Sequence, residues 1–304
     1  MKSISVHSIS KNYNKTQALY NVNFEVDQGE LFGLIGADGA GKTSLMRILT
    51  TLILPDSGHA YVEGFDVVED HRKIRNNIGY MPGKFSLYPD LSMEENLHFF
   101  ATIFGTSIKE NYEMIRPIYR QIEPFKKRRV GALSGGMKQK LALSCALIHR
   151  PAVLILDEPT TGVDAISRKE FWEMLVNLKT QGMTILVSTP YMDEASLCNR
   201  IALIHEGEIL QVNTPQGIVE NYKKRLYEIK SDNLFHLITL LRAHKNVKSC
   251  FSFGEFLHIS LVDDGQEALD AILLYLKEND CRDIIIRAKH PSIEDCFIKL
   301  LHER

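Results

Sequence analysis

The sequence predicts an α/β protein built on a parallel sheet with helices on both faces, followed by a small α+β unit. Three observations carry this. Continuous apolar runs at 31–36 (LFGLIG), 152–157 (AVLILD) and 184–188 (TILVS) read as strands buried on both sides. Helical patterns alternate with these runs, as a parallel sheet requires. Beyond about Asn221 the order becomes strand, helix, strand, strand, helix, strand, the order of a ferredoxin-like domain. The expected domains are 1–221 and 222–304.

Each element has its own signal. Residues 2–7 and 22–27 alternate apolar with polar and read as half-buried strands. The buried run at 31–36 leads into a Gly-rich turn and a helix from about Lys42. Residues 59–81 hold two short strands around the helical HRKIR segment. A helical pattern extends from Ser92 to about Gln121, and Ser92 with Glu95 forms a capping-box signature. Another helix starts at Ser134, and a further one separates the strands at 152–157 and 184–188. Lys223, Lys224 and Arg225 mark a polar linker. The C-terminal unit then reads as strands at 226–231, 247–252, 256–261 and 283–288, with helices at 234–244, 264–277 and 292–301.

Composition removes several classes. The 304 residues are 44% hydrophobic and 24% charged, which is ordinary for a folded globular protein. Lys+Arg number 36 against 38 Asp+Glu, a net charge of −2, so there is no global basic footprint and no nucleic-acid partner is expected. The five cysteines are scattered without a Cys-x-x-Cys pair, which predicts reduced structural thiols in a cytoplasmic protein. No apolar run reaches the ~18 residues of a membrane span, and residues 1–13 show no signal-peptide core.

The chemistry starts at residues 36–43. Gly36, Ala37, Asp38, Gly39, Ala40, Gly41, Lys42 and Thr43 match G-x-x-x-x-G-K-[ST], between a buried strand and a helix. Glycines at 36, 39 and 41 let successive backbone N–H groups face phosphate oxygens, and the helix N-terminus adds partial positive charge. Ser44 continues this nucleotide-binding set. Lys42 is expected on the β- and γ-phosphates of ATP, and the Thr43 hydroxyl on Mg²⁺. The strand ending at Asp157 places a second Mg²⁺-associated group, and Glu158 follows it, where a carboxylate polarises water.

The motif Leu133, Ser134, Gly135, Gly136, Met137, Lys138, Gln139 lies between these two elements. With them it resembles the signature of ABC ATPases, and the resemblance covers about residues 2–220. It implies an ABC ATPase domain with a RecA-like core, an antiparallel β subdomain and a helical subdomain. It further implies that Leu133, Ser134, Gly135, Gly136, Met137 and Gln139 reach the γ-phosphate held by an opposite subunit. Tyr13 stands where the family stacks an aromatic on adenine, and Asp164 lies in what resembles the D-loop. DEPTTGVD and the Pro-Ser-Ile-Glu-Asp ending at 291–295 look like drug-resistance-type export ATPases.

That resemblance implies separately encoded permease subunits, a second ATPase subunit, and a location on the inner face of the cell membrane. Residues 86–100, SLYPDLSMEENLHFF, stand where the family docks its membrane partner. The contrasting readings are a soluble non-transport ABC protein and a slow nucleotide-sensing module. Two positions depart from the family. Gly83 replaces a glutamine that senses Mg²⁺, and Pro190 replaces a histidine that contacts the γ-phosphate. Lys84 is expected to be solvated and His205 structural. ATP binding is expected to persist and hydrolysis at this loop to be slow.

Overall fold

The computed structural model describes residues 1–84, 87–263 and 265–303. Its contacts divide into two compact units, Met1–Pro215 and Gln216–Arg304. The first expected docking residue, Ser86, and the first residue of the expected helix at 264–277, Asp264, lie outside the described residues.

The first unit opens with a long hairpin, β1 (Lys2–Tyr13) and β2 (Thr16–Asp27). Both strands are longer than the alternation suggested. Register shifts along the pair interrupt the period-2 pattern while hydrogen bonding continues. After β3 (Leu31–Ile35) come α1 (Lys42–Leu49), β4 (Ser57–Val62), β5 (Phe65–Asp66), α2 (His71–Asn77) and β6 (Ile78–Met81). Strands β1, β2, β4 and β5 form one antiparallel sheet in the order β2-β1-β4-β5.

The expected helix from Ser92 to Gln121 is two helices, α3 (Met93–Ile103) and α4 (Ile108–Tyr119). Gly105 separates them at φ 66, a left-handed position that ends α3, and Thr106 N–H donates to the Ala101 carbonyl across the turn. Ser107 and Glu110 then form a second capping box that restarts the helix.

Next come α5 (Gly135–Leu147), β7 (Val153–Asp157), α6 (Ala165–Thr180), β8 (Thr184–Thr189), β9 (Arg200–His205) and β10 (Glu208–Asn213). A short 3-10 helix, Met192–Leu197, links β8 to β9. The central sheet has the order β10-β9-β3-β8-β7-β6, parallel except for the β9–β10 hairpin. Every residue of β3, β7 and β8 is buried, which explains their unbroken apolar runs. The carboxyl ends of four neighbouring strands are level: Ile35 pairs with Thr189, Asp157 with Ser188 and Met81 with Leu156. In open α/β sheets, ligands bind outside such strand ends.

A short helix, α7 (Pro215–Glu220), precedes the polar linker and was not anticipated. The second unit contains β11 (Leu226–Lys230), α8 (Leu234–Ala243), β12 (Val247–Phe253), β13 (Phe256–Leu261), α9 (Gln266–Glu278), β14 (Ile285–Lys289) and α10 (Ile293–His302). Its antiparallel sheet runs β12-β13-β11-β14, which is the ferredoxin-like strand order. Ile229, Leu257 and Ile259 pack against Leu237, Leu241, Ile272 and Leu276 to form its core. All five cysteines are buried free thiols.

Candidate functional site

The loop from Gly36 to Gly41 leaves β3 at the level of the strand ends. A Cβ at Gly36 would come within 2.2 Å of the Ile204 carbonyl oxygen, and one at Gly41 within 2.4 Å of the Ala18 carbonyl oxygen. Gly39 and Gly41 have φ of 80 and 103, so the loop needs glycine for conformation as well as for space. Ala37, Asp38 and Gly39 are exposed, while Ala40 is buried. Lys42 opens α1 and is buried; its Nζ donates to the carbonyl oxygens of Gly36 (2.8 Å) and Ala37 (2.9 Å). Thr43 and Ser44 follow in the same first turn.

The sheet brings Asp157 and Glu158 to this loop. The Glu158 carboxylate pairs with Lys42 at 3.1 Å. Its backbone is left-handed, φ 49, an uncommon position for a non-glycine residue. Glu158 N–H donates to Ser188 O (3.1 Å) and Ser188 Oγ (3.0 Å), which holds that conformation in place. Asp157 is buried and accepts from Ser188 Oγ at 2.8 Å. Burial pushes the Asp157 carboxyl above the usual aspartate range, while the hydroxyls of Ser188 and Thr43 pull it back.

The Thr43 hydroxyl and the Asp157 carboxylate are hard oxygen donors that suit Mg²⁺, which keeps several waters and takes only one or two protein ligands.

The two departures lie at the same strand ends. Pro190 follows Thr189 at the end of β8, where it supplies neither an N–H nor a polar side chain. Gly83 follows β6, and a Cβ there would sit 3.2 Å from the Asp157 carbonyl oxygen. Lys84 is exposed, and His205 closes β9.

The signature opens α5, with the residues around Gly162, Val163 and Ser167 as the neighbours of its glycines. Ser134 caps α5 by accepting from Met137 N–H at 3.3 Å. A Cβ at Gly135 would meet only Gly162 and Val163, and one at Gly136 only Ser167. Leu133 and Gln139 face inward: both are buried, and Gln139 Nε2 donates to the Pro159 carbonyl. Gln139 thereby ties the signature helix to the turn after Glu158, and Gly136 is buried against Ser167, while Ser134 and Gly135 are exposed. Asp164 caps α6 through Ile166 and Ser167 N–H, and those bonds hold its carboxyl below the usual aspartate range. Tyr13 ends β1 and is 42% exposed, with Lys11 Nζ 5.8 Å from its ring centroid.

Sequence reasoning missed Glu194. It is buried and accepts from Thr160 Oγ1 (2.9 Å) and Thr189 Oγ1, so it joins the turn after Glu158 to the end of β8. Only its burial marks it, since in sequence it is one acid among several.

A family model described as "ABC transporter" matches residues 19–161. The Nod factor export ATP-binding protein I of Rhizobium sp. strain N33 is 33% identical over 301 residues, covering 98% of this chain and 96% of that protein. The chain belongs to the ABC transporter ATP-binding family. Another member, the probable multidrug ABC transporter ATP-binding protein YbhF of Escherichia coli strain K12, is 39% identical over 91% of this chain. This ABC chain spans about half of that relative's length, 48%.

Among solved structures, an ATP-binding subunit of an ABC transporter superposes with a TM-score of 0.65 at 29% identity, over 72% of this chain and 92% of that one. A dimeric ATP-binding cassette in a post-hydrolysis state, bound to ADP and Pi, gives a TM-score of 0.63 at 25% identity, over 69% and 98%. Among the described residues of this ABC chain, no helix is long and apolar enough to cross a membrane.

Proposed function

We propose that this chain is the ATP-binding and ATP-hydrolysing component of an ABC exporter whose membrane-spanning subunits are other chains. The observation that carries the reading is the convergence of Lys42, Thr43, Asp157 and Glu158 at level strand ends, with Lys42 paired to Glu158 at 3.1 Å. The export and multidrug names of its relatives support the transport direction.

Lys42 and the N–H groups of residues 36–44 bind the β- and γ-phosphates, and the exposed Tyr13 ring stacks on adenine. Thr43 and Asp157 would hold Mg²⁺, which would supply positive charge against the charge developing on the phosphates. Glu158 accepts the proton of the attacking water. Its strained backbone and its Ser188 bonds fix the direction of its carboxylate.

The N-terminus of α5, with Ser134 and Gly135 exposed and Gly136 and Met137 following, completes the site of a second ATPase subunit, and Asp164 caps the neighbouring α6. The dimeric state of one similar cassette supports such pairing. Along Leu87 and Phe100 lies a groove of about 460 Å³ lined also by Leu52, Tyr80, Ile103 and Phe104, an apolar seat for a membrane partner's helix. That partner would hold the chain on the inner face of the cell membrane.

We further infer an asymmetric pair. Gly83 and Pro190 deprive this loop of a glutamine and a histidine, so its own site holds ATP and turns it over slowly. The intact signature serves a partner that carries both groups. The test measures ATP hydrolysis by the chain alone and with its membrane and ATPase partners. The chain alone should be slow, Glu158→Gln should barely change the complex, and Ser134→Arg should silence it. Brisk hydrolysis by the chain alone, abolished by Glu158→Gln, would overturn the asymmetry while leaving the ATPase assignment standing.

A further inference from the structure

The C-terminal unit contains a cavity that the ATPase chemistry does not use. Its volume is about 120 Å³, well below the ~300 Å³ at which pockets for drug-sized ligands begin, so its ligand is small. It lies beside the sheet face opposite the α8–α9 core, between β12, β13, α10 and the segment leading into β11. Three ammonium groups line it: Lys224, Lys248 and Lys299. Charge there is poorly balanced. The one acidic lining residue, Glu303, reaches Lys299 only at 3.8 Å, and Lys224 donates to the Val262 carbonyl, a neutral acceptor. Lys248 has no ion-pair partner among the described residues.

The remaining lining supplies hydroxyls and flat apolar surface. Ser249 and Ser260 stand opposite each other on β12 and β13 with their hydroxyls in contact, so either can turn a proton toward a bound oxyanion. Phe251 and His302 stack at 4.8 Å between ring centroids and form an apolar wall. Tyr222 lies beneath the Lys299 ammonium, 4.8 Å from its ring centre, which orients that charge.

We infer that this cavity binds a small phosphomonoester, its dianionic phosphate among the three lysines and serine hydroxyls and its apolar group against the Phe251–His302 wall. Lysine serves such an anion as a compact point charge, and several together match the double charge of a phosphate. The inference concerns the second unit alone and stands whether or not the chain drives export.

The test uses the full chain carrying Lys42→Ala, which removes the phosphate loop as a competing site. Phenyl phosphate is titrated by calorimetry, with benzyl alcohol as the neutral control. Saturable binding at one site per chain is expected, weakened at least tenfold by Lys248→Glu and by Lys299→Glu. Lys245→Glu, outside the cavity, should leave it unchanged. Because Lys248 is exposed, its variant should fold, and a matching thermal melt checks this. A second arm distinguishes a lipid source: Lys248-dependent binding to phosphatidate vesicles, with none to phenyl phosphate, assigns the phosphomonoester to a lipid headgroup. Binding to neither probe, binding indifferent to both lysine variants, or equal binding of benzyl alcohol overturns the inference.

Discussion

Lys42 shows how one buried side chain can be held by its own loop and still suit the proposed phosphate contact. Its ammonium is satisfied by two loop carbonyls and by Glu158, so burial costs it little, and the same reach places it where phosphates arrive. Lys42→Ala should reduce ATP affinity by at least a hundredfold in a nucleotide titration, about the effect of losing a strong charge-assisted contact worth 3 kcal/mol. An unchanged titration would show that the loop does not hold the phosphates. The two departures differ in how readily they can be reversed. Pro190 already carries a Cβ, so histidine there asks for no new clearance next to the backbone, whereas a Cβ at Gly83 presses on the Asp157 carbonyl at 3.2 Å. Pro190→His should therefore raise hydrolysis at this chain's own site by roughly tenfold or more, since one positioned donor is worth about 10²–10³ in rate. Gly83→Gln alone should give less. Phosphate release assays on single-turnover mixtures compare the two, and a null result for Pro190→His would mean that another group already fills the histidine's role.

At the scale of elements, side chains that cap helices also tie them to neighbours. Asp295 shows this in the second unit. It closes a capping box with Ser292 at the start of α10 and accepts from buried His258 on β13 at 2.6 Å. The Pro-Ser-Ile-Glu-Asp segment is thus a helix start bolted to a sheet. Asp295→Ala should destabilise the unit by about 3 kcal/mol, because it leaves a buried histidine without its partner and α10 without its cap. Asp295→Asn, which keeps an acceptor, should cost clearly less. Denaturant titration followed by hydrogen exchange of β13 and α10 measures both; equal losses would mean that packing alone holds the helix. Asp164 shows the same economy in the first unit, where its carboxylate caps α6 beside the signature glycines. Its lowered folded-state pKa means that its contribution is complete above the ordinary value of 3.8 and fades as pH falls through the lower folded value.

At the scale of the whole molecule, the proposed pairing sets the phosphate loop of one subunit against the signature of another, and it rests on the dimeric state of a similar cassette. The groove at Phe100, Ile103 and Phe104 is the surface proposed for the membrane partner. Hydrogen exchange of the chain with and without its permease should show protection in α3 and at Leu87–Leu91. Protection elsewhere, with none in α3, would move the docking site.

Much of this protein is determined by its sequence alone, where local chemistry leaves one solution. The run G-A-D-G-A-G-K-T allows few backbones other than an anion cradle, because three glycines remove every steric bar and a helix start follows. The consecutive apolar residues within β3, β7 and β8 announce a parallel sheet for the same reason: a strand covered on both faces does not alternate apolar with polar. The strand and helix alternation after Leu226 was legible enough to name the ferredoxin-like order. What tertiary structure decided depends on residues far apart in the chain. The strained backbone of Glu158 needs Ser188, thirty residues on. The inward turn of Gln139 needs the Pro159 carbonyl, and burial of Glu194 needs Thr160. The lysine cavity needs α10 brought beside β12 and β13. Periodicity reports which face of an element is apolar, but a hydrogen bond or a cluster of charges exists only once packing has chosen its neighbours.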